Sequence, residues 1–283
     1  MALTINTNLG SLIVQKNLDS ATKSLNQAIE RMTTGYKINS ARDDAAGYAV
    51  ATKMETTLGS ISVAQDNVAI GSSMLSTLES NYDLLTTHYQ RIRDLTEEAA
   101  NGTYGDDSIS AIKAEVTARM AEINRIAASA EFNGVKIMNG TKTGGVVLQI
   151  GVDSSDNSKL TLSADLFANA NSATLTEVAD ATLQGYYTAG GTNYGTALTA
   201  IDKALTKITT RQTNIGALQN RLDSASDALE VQYSNVTSSL STIKDADVAA
   251  ESSAYIKAQI LQQASASLLA TANQTPSIAL NLI

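Results

Sequence analysis

Residues 198–243 read LTAIDKALTKITTRQTNIGALQNRLDSASDALEVQYSNVTSSLSTI. Every seventh residue from Ile201 is apolar: Ile201, Ile208, Ile215, Leu222, Leu229, Val236 and Ile243. A companion series, Leu198, Leu205, Gln212, Gln219, Ser226, Tyr233 and Leu240, is weaker. Alternating steps of three and four place both on one stripe with the 3.5-residue period of a left-handed coiled coil. A helix of these 46 residues is roughly 70 Å long at 1.5 Å per residue, too long for an ordinary globular domain. The stretch predicts a helical rod whose partners must come from elsewhere in the chain.

Those partners are visible. After Asp43-Asp44, which can cap a helix, a second array reads Met54, Ile61, Val68, Leu75, Tyr82 and Tyr89, with Ala64, Gly71, Leu78, Leu85 and Ile92 alongside. Ala64 and Gly71 leave room for a close partner helix. The array fades at Asn101-Gly102, a good stop. A shorter helix is predicted after Asp106-Asp107-Ser108, carrying Ile109, Ile112, Val116, Met120, Ile123 and Ile126. The N-terminal segment repeats the seam as Val14, Leu18, Ala21, Leu25, Ala28 and Met32, ending at Gly35-Tyr36. Each stripe reads as helix core. The expected fold is mainly α: a long antiparallel coiled-coil rod with the N- and C-terminal helices paired and a small β-hairpin region.

Composition agrees. Of 283 residues one is proline (Pro276), one histidine (His88) and 12 aromatic, with no cysteine or tryptophan. Ordinary usage gives about 5% proline, and its near absence lets long helices run unbroken. Without cysteine there is no disulfide, thiolate nucleophile or zinc-thiolate site, and a single histidine removes His-pair metal sites and most triads. The net charge of −8 opposes nucleic acid and anionic lipid. These figures disfavour most enzymes; no catalytic, cofactor or metal site is expected.

Charge is unevenly placed. Residues 1–43 sum to +2, 244–283 to −1 and 44–243 to −9, so the ends are expected to pack and the centre to face water. Met1–Gly10 has neither a basic nor a continuous apolar region, so no cleaved secretory signal is expected. No run of about 18 apolar residues suggests a spanning helix. The last 26 residues, from Ala258, are uncharged yet carry glutamines and hydroxyls, too polar for a bilayer and suited to a protein partner.

The middle differs. Nine of the 17 glycines fall between Gly134 and Gly195. Residues 146–150 and 159–162 read as strands joined by a turn, 168–183 are ambiguous, and Gly185 to Gly195 is a loop. The stretch Gly190–Thr196 precedes a helix but lacks the Gly-Lys-Ser/Thr of a phosphate loop, and reads as a turn. Asp153–Asn157 offers oxygens without the glycine or closing glutamate of a calcium loop. His88, without a His or Cys partner, reads as an exposed helix residue. Four Asn-x-Ser/Thr matches, at Asn101, Asn139, Asn235 and Asn273, are expected by chance in an Asn/Thr-rich chain. One polar cluster is less bland. Gln90-Arg91-Ile92-Arg93-Asp94-Leu95 places two arginines and an exposable leucine at the end of the second array, and Glu115 on the next helix can approach it. A solvated Arg/Glu surface pair is the equal alternative.

Both ends carry motifs. They are Ile5-Asn6-Thr7-Asn8, Leu25 to Arg31, and Gly35-Tyr36-Lys37-Ile38-Asn39-Ser40-Ala41 followed by Asp43-Asp44-Ala45-Ala46-Gly47. Glu131-Phe132-Asn133-Gly134-Val135-Lys136 follows the third helix. Near the C-terminus stand Ile243 to Asp247, Ala258 to Ala264 and Ala270 to Pro276. In this order they resemble a bacterial flagellin over residues 1–140 and 195–283, with the large outer domains of many relatives missing. Thr33-Thr34-Gly35 replaces the more usual Leu-Ser-Ser-Gly.

The resemblance implies a structural subunit, secreted to the extracellular flagellum through the flagellar type III channel, that forms a helical homopolymer for swimming motility. It also implies an inner domain of 1–43 with 244–283 and a rod domain of 44–243, with hairpins near 133–183. Implied partners are copies of itself, a filament cap protein, hook-filament junction proteins and an export chaperone; nucleic acid and membrane are not expected. Neither terminal stripe can be buried within its own segment, so both are expected to order as neighbours supply apolar surface. Val14, Leu18, Leu25, Met32, Ile260, Leu261, Leu268 and Leu269 are the candidate polymerisation residues. Gln90, Arg91, Arg93, Leu95 and Glu115 match the surface through which similar flagellins meet the Toll-like innate receptor, although Asp94 stands where a glutamate is usual. The competing readings are a hook-filament junction protein and a chemoreceptor-like signalling bundle. A protease-bearing flagellin would need His-Glu-x-x-His, which a single histidine excludes.

Overall fold

The computed structural model describes residues 7–188, 191 and 193–280, with side chains through Gln274. Ile5, Asn6, Gly190 and Thr192, each part of a motif above, lie outside the described residues, as do the side chains of Thr275 and Pro276. The elements are α1 (Leu9–Thr34), α2 (Ala45–Ala99), α3 (Asp106–Ser129), β1 (Glu131–Phe132), β2 (Val135–Lys136), β3 (Val146–Gln149), β4 (Lys159–Leu162), α4 (Ser172–Thr176), α5 (Asp180–Gly185), α6 (Tyr194–Lys244) and α7 (Val248–Leu280). Contacts divide the chain into two compact units, residues 1–58 with 234–283 and residues 59–233.

In the first unit α1 packs on α7. Asn8 caps α1 by accepting from the Ser11 N–H at 3.1 Å, which satisfies one of the donors a helix start leaves unpaired. The helix ends at Gly35, whose φ of +75° is the left-handed conformation glycine adopts without a Cβ penalty. Two short linkers then pair. The Lys37 N–H donates to Lys244 O and the Ala246 N–H to Gly35 O, each at 2.8 Å, around a bridge of Tyr36 with Asp245. Lys244 Nζ lies 4.5 Å from the Tyr36 ring centroid and 2.5 Å from Glu55. Asp44 caps α2, accepting from the Ala46 and Gly47 N–H groups at 3.0 Å.

In the second unit α2 and α6 run antiparallel, with Gln212 donating to Asp83 at 2.7 Å and Gln219 to Glu79 at 2.9 Å. Ile61, Ala64, Val68, Leu75, Leu78, Tyr82, Leu85, Tyr89 and Ile92 of α2 are buried, as are Ile109, Ile112, Val116, Met120, Ile123 and Ile126 of α3. On α6 the Ile201 series is buried through Leu229. Its companion is not the expected one. Leu198 and Leu205 are only half-buried, while Ala197, Ala204 and Arg211, on the other flank of the isoleucines, are fully enclosed. The two alanines let neighbouring elements come close, so backbone approach outweighed apolar size there.

Gly71 also differs from expectation. It admits no helix; a Cβ there would collide with the Leu148 side chain of β3. The strands β3 and β4 pair antiparallel with Val146 opposite Leu162 and Gln149 opposite Lys159. Asn67 of α2 holds this hairpin by donating to Gln149 O at 3.0 Å. A second hairpin, β1 with β2, turns at Asn133-Gly134, both at positive φ, the conformation that a two-residue hairpin turn requires. The ambiguous 168–183 segment forms α4 and α5, tied to α3 where Asn124 donates to Asp180 at 2.8 Å and accepts from the Ser172 N–H at 2.8 Å.

Arg211 is the buried charge of this unit. It donates to the Tyr82 hydroxyl at 3.1 Å and to Ala168 O at 3.4 Å, and Tyr82 in turn donates to Leu166 O at 2.9 Å. Its carboxylate partner, Asp165, is 3.8 Å away and mostly exposed. The neutral oxygens, not the ion pair, therefore hold the guanidinium. Arg211→Ala is expected to destabilise the chain by about 2–3 kcal/mol in urea unfolding, since it orphans buried acceptors and leaves a void. Arg211→Met, which keeps the packed stem, should lose about half as much, and Asp165→Asn should leave the midpoint in place.

Candidate functional site

Two surfaces carry the candidate residues. The first is the α1/α7 pair. Ser11, Val14, Leu18, Leu25 and Arg31 are half-buried and Ala21 and Ala28 fully buried on α1; Glu251, Tyr255, Gln262 and Leu269 are half-buried and Ala258 and Ser265 buried on α7. Val14, Leu18, Leu25 and Leu269 thus line the seam within one chain. Met32, Ile260, Leu261 and Leu268 instead face outward, with Ile260 60% and Leu268 59% exposed. Leu9, Leu12, Ile13, Ile29 and Ile256 join them, and sequence reasoning missed these. A signal was present: Leu12-Ile13-Val14 is apolar at three consecutive positions, more than a single seam can take up. Ser253, Ile256, Lys257, Ile260 and Leu261 line a shallow groove on α7.

The second surface lies where α2 meets α3. The Glu115 carboxylate accepts from Arg91 Nε at 3.1 Å and lies 2.9 Å from Arg119. The Arg91 hydrogen bond, then that of Arg119, holds this carboxyl below its ordinary 4.5, and the same contact raises Arg91. The cluster is therefore intact at neutral pH and is lost only as acid takes the solution below that range. Arg93 turns the other way, to Asp202 of α6 at 3.0 Å and Glu97 at 2.7 Å. Gln90 is exposed between the two arginines.

Leu95 requires a correction: it is 2% exposed. At about 100° per residue, Arg91 and Arg93 stand roughly 200° apart on the helix, and Ile92, Leu95, Thr96 and Ala99 fill the arc between them. That arc is enclosed because α3 flanks it at Arg91 and α6 at Arg93. Being four residues from Arg91 puts Leu95 beneath the arginine, inside the core. His88 is likewise half-buried, and its Nδ1 has no hydrogen-bond partner among the described residues.

The other candidate sites hold no ligand chemistry. Asp153 accepts from the Ser155 N–H and from the Ser155 and Ser158 hydroxyls, so its oxygens serve the turn. Among the described residues no three His, Cys, Asp or Glu side chains gather as a metal site, and no helix is long and apolar enough to cross a membrane.

Comparison with known proteins matches residues 5–143 to the bacterial flagellin N-terminal helical region and 198–283 to the bacterial flagellin C-terminal helical region. The chain belongs to the flagellin family. It is 32% identical to a flagellin of Listeria monocytogenes over 99% of both chains. It is 31% identical to the flagellar filament 33 kDa core protein of Treponema phagedenis, again over 99% of both. A solved flagellar hook-associated protein of Vibrio parahaemolyticus, 18% identical, shares the fold with a TM-score of 0.60 over 72% of this chain and all of that one. The protein is accordingly a structural subunit of the extracellular flagellar filament, self-polymerising and not an enzyme.

Leu95→Ala is expected to cost about 2–4 kcal/mol of stability as a large-to-small core change. Arg91→Ala, at an exposed pair, should leave the unfolding midpoint unmoved; guanidine titration of the two variants checks the contrast.

Proposed function

We propose that residues 1–43 and 244–283 form the core domain of the filament and 44–243 its outer rod domain. Export through the flagellar type III channel, by way of an export chaperone, would precede growth under a cap protein from hook-filament junction proteins. The observation that carries the assembly reading is the outward aliphatic face of the α1/α7 pair. The two helices bury one seam between them, and among the described residues no third element covers the exposed aliphatics of their outer face. Copies of the chain supply that element, and a head-to-tail contact that does not close into a ring extends as a helix. Because the seam is built largely on alanine and serine, the terminal pair is the segment expected to open first in an isolated subunit. Deleting residues 258–283, or introducing Ile260→Asp with Leu268→Asp, should abolish filaments in negative-stain microscopy and leave the 59–233 unit folded by circular dichroism. Filaments from either variant would overturn the assignment.

The released monomer is the second half of the reading, as ligand of a Toll-like innate receptor through Gln90, Arg91, Arg93 and Glu115. The solvent-facing cluster of Arg91, Glu115 and Arg119 supports it, with Leu95 acting beneath the surface as support for the helix and not as a contact. Arg91→Ala and Glu115→Ala should each weaken binding of monomer to the receptor ectodomain by at least about tenfold, as loss of a charge-assisted contact does. Equal binding by both variants would sink this part alone.

A further inference from the structure

The contacts between α1 and α7 hold one antiparallel register, pairing residues whose numbers sum to 282–284. Ser11 donates to Asn273 Oδ1 at 2.7 Å, Gln262 to the Thr22 hydroxyl at 3.2 Å, and Arg31 to Glu251 at 3.0 Å. In the register these rungs set, large faces small at three levels of the seam, Leu18 opposite Ser265, Leu25 opposite Ala258 and Ala28 opposite Tyr255, while Val14 falls opposite Leu269. The pattern has a weakness. Moving α7 by one heptad puts Leu18 opposite Ala272, Leu25 opposite Ser265 and Ala21 opposite Leu269. Large still meets small, so apolar packing barely distinguishes the two alignments. The polar rungs do. After the slip Arg31 is level with Ala258, Thr22 with Leu269, and Glu251 has lost its cation although its side chain is only 15% exposed.

We propose that the apolar seam of the terminal pair is degenerate in register, and that the three polar rungs at Ser11–Asn273, Thr22–Gln262 and Arg31–Glu251 select the one used. This is the role a single polar position has in fixing coiled-coil alignment. The consequence reaches the outer face. A seven-residue slip carries α7 about 10 Å along α1, separating Leu268 from Ile13 and Ile256 from Ile29. A slipped subunit then presents a broken apolar face to its neighbours.

The absence of cysteine from the chain makes the test clean. Leu25→Cys with Ala258→Cys reports the native register, and Leu25→Cys with Ser265→Cys the slipped one. Diamide, reduced to its hydrazine as two thiols become one disulfide, captures each, and intrachain links are mapped by peptide mass whether or not the chain has polymerised. With the rungs present, the native link should exceed the slipped link by at least about tenfold, the combined worth of three such contacts. In full-length chains carrying Ser11→Ala, Gln262→Ala, Arg31→Ala and Glu251→Ala, the slipped link should rise to a yield comparable with the native one. Restoring only a reversed pair, Arg31→Glu with Glu251→Arg, should return the preference to the native link. A native link that stays dominant without the rungs would show that packing and the linker bridge set the register, and would overturn the proposal. Loss of both links would overturn it as well, since the rungs would then create the pairing and not choose between alignments.

Discussion

The return of the chain's last segment to its first, side by side and antiparallel, is the constraint from which the rest of the first unit follows. Two linkers must meet for α1 and α7 to lie together, and they meet through backbone bonds from Gly35 and Lys37 to Lys244 and Ala246. The side chains around that crossing are chosen to hold it. Gly35 supplies the left-handed turn, Lys244 joins the Tyr36 ring to Glu55, and Asp43 accepts from Asn39 and Ser40. The Ser40 hydroxyl and N–H bonds hold the Asp43 carboxyl below its usual range. Motifs that resemble a family signature in the sequence are here a set of caps and turn contacts with a mechanical purpose.

Three elements converging on one region make burial arcs wider than a heptad stripe, and this explains both departures from the sequence reading. A two-helix seam takes two positions in seven. Where α2 is flanked by α3 on one side and α6 on the other, the buried arc spans the interval between Arg91 and Arg93 and takes in Leu95. On α6 the same widening encloses Ala204 and Arg211. Arg211 tolerates that position because three oxygens, those of Tyr82, Ala168 and more distantly Asp165, surround its guanidinium. Desolvation pushes the Tyr82 hydroxyl up despite the adjacent cation, so the tyrosine stays a neutral hydrogen-bonding bridge.

Long helices were legible because their signal repeats: a seven-residue period survives the loss of any one position, as Gln212 and Gln219 show within the α6 series. Asp43-Asp44, Asp106-Asp107 and Gly35 marked helix ends through local bonding that needs no tertiary context. What was illegible depended on partners far away in the chain. Gly71 reads as room for something, but only the fold supplies Leu148 as the occupant. Leu198 and Leu205 outrank Ala197 and Ala204 on apolarity, and only close packing reverses that order. The β1/β2 turn at Asn133-Gly134 is the exception, a local hairpin signal that was present and passed over. For the candidate sites, the Arg91–Glu115 approach was legible from helix order, whereas the division of the terminal leucines between seam and outer face required the register.

That division bears on how a subunit is built for assembly. The seam between α1 and α7 is deliberately thin: its fully buried members, Ala21, Ala28, Ala258 and Ser265, are small. Each contributes little transfer free energy at about 25 cal/mol per Å² of apolar area. Val14, Leu18, Leu25 and Leu269 line it only half-buried, and Leu12, Ile13, Ile260 and Leu268 sit on the outer face, in water. A pair built this way keeps apolar surface to offer a neighbour, which is the surface the proposed assembly uses. The second unit shows the contrasting arrangement, with tyrosines, isoleucines and leucines turned inward and ion pairs outward. Most of its large apolar side chains are buried there without a partner, although Val63, Ile70, Leu84, Val147 and Val231 stay exposed.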